Sequence, residues 1–176
     1  MSAIEVKELS HPAGEVLKIA AGKTLDLNSQ GSVKMPAGSV LQVVSSVLTT
    51  NVSSTSESFQ DIGLSVNITP KSSTSILYIE WAGNVNLTGP DGVGVAVREG
   101  AVSIGAGGSA QISAFTYLVG GSANRHDNQS LMTSTPSTGV TLRTFKVSAK
   151  ITHGTGTYSI AGTWGPAMLK ITEVAQ

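Results

Sequence analysis

The chain contains no cysteine, which excludes disulfides and thiolate zinc sites. Stability therefore has to come from an apolar core, hydrogen bonds and association between chains. Charge is also scarce. Asp, Glu, Lys and Arg make up 12% of the residues, against about 25% in a typical soluble domain. Lys+Arg and Asp+Glu are equal at 11 each, so the formal net charge is zero. No basic cluster is present to displace counterions from a phosphate backbone, so nucleic acid is not an expected partner. The same lack removes a polybasic membrane anchor. No stretch approaches the roughly 20 apolar residues of a membrane-spanning helix. The opening residues, Met1-Ser2-Ala3-Ile4-Glu5-Val6-Lys7-Glu8, lack the basic start and apolar run of a signal peptide. No segment keeps a helical period over a helical length.

Polarity comes instead from Ser, Thr, Asn and Gly. Ser, Thr and Asn weaken helix interiors, because their side chains compete for backbone groups. Near-zero charge favours association. Against this background the apolar residues alternate. Val40–Leu48 is apolar on both faces, a pattern that calls for cover on both sides. Strands are also expected at 64–69 (ended by Pro70), 76–87, 93–98, 101–104, 112–119, 131–134, 140–152, 157–161 and 167–174. The clearest alternation lies in 140–152, with Phe145, Val147, Ala149 and Ile151 on one face. Lys146, Ser148, Lys150 and Thr152 take the other. Leu169 and Ile171 are expected to face inward. Gly89-Pro90-Asp91-Gly92 reads as a turn, 49–58 as a polar link, and 105–110 and 120–128 as loops. Eight to ten short strands at this spacing predict an all-β, jelly-roll-like antiparallel β-sandwich over residues 37–176.

Residues 1–36 form no core of their own. Glycines at 14, 22, 31 and 38 punctuate short apolar units that a single chain cannot bury. Two readings follow: a β stem wound with two sister chains, or an arm laid along a neighbouring subunit.

Candidate chemistry is thin. His11, His126 and His153 have no partners at metal-ligand spacing, and no metal or cofactor is expected. Arg125, His126 and Asp127 place a base beside a carboxylate, but an open polar loop suits ligand contact better than proton transfer. The candidate contact residues are therefore Asn124, Arg125, His126, Asp127 and Asn128. Glu80, flanked by Tyr78, Ile79 and Trp81, is read as a strand-edge or interface acid paired with a Lys or Arg, with a pKa raised by partial burial as the lesser alternative. Gly105-Ala106-Gly107-Gly108 lacks the Lys-Ser/Thr of a phosphate loop. The Asn-X-Ser/Thr triplets at Asn51, Asn67, Asn86 and Asn128 are read as chance in a Ser/Thr-rich chain.

Several stretches then stand together: Met35-Pro36-Ala37-Gly38-Ser39-Val40-Leu41-Gln42-Val43-Val44, Ser58-Phe59, and Asp61-Ile62-Gly63-Leu64-Ser65-Val66-Asn67-Ile68-Thr69-Pro70. Ser75-Ile76-Leu77-Tyr78-Ile79 and the closing Leu169-Lys170-Ile171-Thr172-Glu173-Val174 follow. The set resembles bacteriophage tail-fibre and virion-appendage domains, especially those of phages of aquatic bacteria. The resemblance implies a homotrimer on the virion surface with a β-sandwich head, and brings no catalytic residues with it. The expected partners are sister copies, other virion proteins through the stem, and host surface polysaccharide. A capsid decoration protein that cements the head is the alternative, and a glycan-degrading enzyme acting through Glu80 the remote one.

Overall fold

The computed structural model describes residues 21–22, 35–88, 92–104, 115–119 (by their backbone) and 125–176. The chain divides into two units, Met1–Lys34 and Met35–Gln176. The expected stem, the Gly89-Pro90-Asp91 turn, the 105–110 loop and Asn124 lie outside the described residues.

The second unit is all-β. In chain order its strands are β1 Val40–Leu48, β2 Val52–Ser54, β3 Gln60–Ile68, β4 Ile76–Thr88, β5 Gly92–Glu99 and β6 Val102–Ser103. They are followed by β7 Phe115–Val119, β8 Arg125–Pro136, β9 Arg143–His153, β10 Thr157–Ile160 and β11 Ala167–Val174. One sheet runs β1-β11-β4-β10-β2, with β8 on the free side of β4. The other runs β3-β9-β5-β6, with β7 also on β5. All pairings are antiparallel. In effect β1 and β2 are one broken strand, as are β10 and β11, because both halves of each pair lie against the same neighbours.

The two sheets share one apolar core, as in a β-sandwich. Period-two alternation supplies it. Ile62, Leu64, Val66 and Ile68 of β3 are buried, as are Leu77, Ile79, Trp81, Val85 and Leu87 of β4. Phe145, Val147, Ala149 and Ile151 of β9 point inward as their spacing predicts, and so do Leu169 and Ile171 of β11. The Tyr158 hydroxyl crosses the core to donate to the Ala149 carbonyl at 3.2 Å. Burial pushes its pKa up, against a hydrogen bond with Ser54.

Between β10 and β11 the chain leaves the sheet through a short 3-10 turn, Gly162–Trp164. This excursion needs close backbone approaches. A Cβ at Gly83 would stand 2.8 Å from that of Ala167, so no larger residue fits there without a shift. Gly162, at φ +81°, lies where a Cβ would meet the Asn51 Cβ at 2.6 Å.

Four expectations need correction. The polar link 49–58 contains β2, which pairs with β10. The strand expected from Leu64 begins at Gln60, with an irregular register between Asp61 and Ser65. There Gly63 takes φ +79° and donates its N–H to Asp61 Oδ1. The strand expected over 140–152 starts only at Arg143, leaving Val140 and Leu142 exposed. The expected 120–128 loop and the short 131–134 strand are replaced over 125–136 by one twelve-residue strand, β8. Its length follows β4, which it pairs from Ile76 to Leu87.

Candidate functional site

The outer face of the β4 sheet can be read row by row from the strand register. Residues alternating with the buried positions of β4 and β11 point outward. Four rows cross β1, β11, β4 and β8: Val40–Val174–Ile76–Pro136, Val43–Thr172–Tyr78–Ser134, Ser45–Lys170–Glu80–Met132 and Val47–Met168–Ala82–Ser130. Val43 and Val47 are 53% and 55% exposed, and Met132 is 76% exposed. The two-sided cover that the Val40–Leu48 pattern calls for is thus present on one side only within a single chain. An open hollow of about 470 Å³ lies beside Tyr78, Met132, Thr133 and Ser134. The four rows hold two charged groups, Lys170 and Glu80, and these pair with each other. Glu80 therefore has the basic partner expected of it, Lys170.

Further along the same face the character changes. Asn84 stands opposite Asn128, and Asn86 stands between His126 and Ser159, which in turn faces Ser53. Asn84 Nδ2 donates to Asn128 Oδ1 at 3.3 Å. Asn86 Oδ1 is buried without a hydrogen-bond partner among the described residues. This end is a strip of amides, hydroxyls and one imidazole.

The structure divides the expected contact set. Arg125, His126, Asp127 and Asn128 all lie on β8, not on a loop. Because a strand alternates its side chains, His126 and Asn128 share the outer face. Arg125 and Asp127 take the other side and pair there, Nε to Oδ2 at 2.6 Å. Asn84 and Asn86 complete the strip, and sequence reading did not single them out as contacts. The available signal was the Asn84-X-Asn86 spacing at one end of a long strand, which puts both amides on one face.

Other acids are held by structural partners. Asp61 pairs with Lys146 at 3.0 Å. Glu99 receives both Arg143 Nε and Nη2, at 2.8 and 2.7 Å. The hydrogen-bonded guanidinium holds the Glu99 carboxyl below its usual range, against the opposing effect of burial. Glu173 is wholly buried. It accepts from four donors: Ser75 Oγ at 2.6 Å, Gln42 Nε2 at 2.6 Å, Lys71 N at 2.8 Å and Ser72 N at 3.1 Å. Burial alone would push its pKa up, but these donors more than offset that and leave it lowered. Among the described residues no group of three His, Cys, Asp or Glu is placed to hold a metal ion.

No family model and no curated protein matches the chain. The two-part outer face is therefore read from its own chemistry. A neutral strip of hydrogen-bonding side chains can exchange hydrogen bonds with hydroxyl-rich, uncharged ligands. An apolar field bearing one internally paired charge can exclude water against another surface.

Proposed function

We propose that this chain is a structural protein of a bacteriophage particle: a homotrimeric fibre or spike whose jelly-roll head adsorbs to a host-surface glycan. The observation that carries the reading is the amide strip of Asn84, Asn86, His126 and Asn128 on a rigid sheet. Sugar hydroxyls both donate and accept, and side-chain amides match them without net charge. Strands hold such groups in fixed register, so little order has to be gained on binding.

The strand order supports the jelly-roll reading. With the broken strands counted once and β6 set aside as a short extension, eight runs remain. The first, eighth, third and sixth form one sheet; the second, seventh, fourth and fifth form the other. That order is the one produced by two nested Greek keys. The stem, residues 1–36, would dock to other virion proteins.

The test is a triple variant, Asn84→Ala, His126→Ala and Asn128→Ala. Losing two or three hydrogen bonds at about 0.5–1.5 kcal/mol each should weaken binding to purified host surface polysaccharide roughly tenfold or more. The melting transition should move little, since all three residues are on the outer face. Full binding by a folded variant would reject the strip as the contact surface. Imaging of the particle with an antibody to the head would distinguish a tail location from a capsid decoration.

A further inference from the structure

The apolar rows are separate from the amide strip and call for a different occupant. We infer that this half of the outer face is where copies of the chain pack on one another, each turning β1, β11, β4 and β8 toward a common axis. The inference rests on the trimeric reading above and assigns the surface that makes it.

Three observations select a second copy. The first is distribution. Val43, Val47, Tyr78, Met132 and Met168 are exposed on this one face, whereas among the described side chains of the other sheet's strands, which exclude those of β7, one large apolar group is exposed, Val102 on short β6. The second is charge. Lys170 and Glu80 neutralise each other inside the patch, so the face has no field with which to choose an oppositely charged protein. A like neutral surface needs no complement. The third is area. Strands about 4.8 Å apart with a rise of about 3.4 Å per residue give the four rows, which run from Ile76 to Ala82 on β4, a flat face of roughly 450 Å². That is about half of each partner's share of a standard interface, enough for the apolar centre of a contact between copies. Its pattern also fits, with an apolar field bordered by a polar strip. The open hollow beside Tyr78 and Met132 lies within this field.

The experiment uses the full chain. Sedimentation of the wild type is expected to give a trimer. Val47→Lys and Met168→Lys should each shift it toward monomer by at least a hundredfold in dissociation constant, with an unchanged β-type circular dichroism spectrum. Ser65→Lys, exposed on the other sheet, should leave the trimer intact. Because the chain has no cysteine, Val47→Cys introduces a unique thiol for a benzophenone photocrosslinker, which keeps the test alive if the lysine variants fail to fold. In a mixture of ¹⁵N-labelled and unlabelled copies, crosslinked peptides should join the two isotopic forms. Crosslinks confined to one copy, including any to residues 1–34, would overturn the assignment. So would folded lysine variants that remain trimeric, which would leave the trimeric reading standing. A wild type that stays monomeric at all concentrations would remove both.

Discussion

Glu173 shows how one side chain can hold several segments in place. Its carboxylate gathers Gln42 from β1, the backbone of Lys71 and Ser72, and the hydroxyl of Ser75 at the entry to β4. A buried anion is tolerated only when its lone pairs are met, and here four donors meet them. The folded-state pKa lies below the ordinary value of 4.5. Stability from this group is fully present above the unfolded value and is lost as pH falls through the lower, folded one. Glu99, held down by Arg143, contributes in the same direction. Glu173→Gln is expected to cost about 1–3 kcal/mol at neutral pH, because an amide cannot satisfy the same donors. It should also flatten the loss of stability below pH 4.5. Urea unfolding from pH 7 down to pH 3 checks both. A variant as stable as the wild type at pH 7, with an equally steep acid limb, would show that the cradle does not contribute.

At the scale of elements, the informative case is β8. Its inward positions include Asp127, Gln129, Leu131, Thr133 and Thr135, of which only Leu131 is apolar and packs on the core. Alternation of apolar residues therefore could not mark it beyond a short segment. What makes it a strand is the backbone of β4, which offers partners along nearly its whole length. An edge strand pairs on one side, so only every second amide points at its neighbour. Hydrogen exchange should thus show alternating slow and fast amides along 125–136, with more uniform protection in β4 and β9, which have neighbours on both sides. Uniformly fast exchange across β8 would contradict the pairing. β9 is the opposite case. Phe145, Val147, Ala149 and Ile151 announce it in the sequence because the core needs all four, while the valine and leucine before Arg143 mislead about where it starts.

For the whole molecule, an apolar half-face, a net charge of zero and no disulfide point in one direction. Folding of a single chain leaves a wet apolar surface that association would remove. Linkage then makes the melting temperature depend on concentration. If the trimer proposed above forms, scanning calorimetry over a hundredfold range of protein concentration should show the midpoint rising by several degrees. A midpoint independent of concentration, at concentrations spanning the assembly transition, would mean that folding does not draw on association.

The sequence by itself determined the β class and most of the inward-facing residues. It did so because alternation and turn chemistry are local: Leu169 and Ile171, or Phe145 and Val147, carry their facing in their own spacing. It also determined that charge would be scarce and would sum to zero. The tertiary structure alone decided that β2 exists, that β8 runs twelve residues and that β10 and β11 are one strand interrupted by a 3-10 turn. It alone split Arg125 and Asp127 from His126 and Asn128, and brought Asn84 and Asn86 to the latter pair. Those outcomes depend on which backbone lies alongside, and a strand's neighbour is set by long-range pairing that the strand's own residues do not encode.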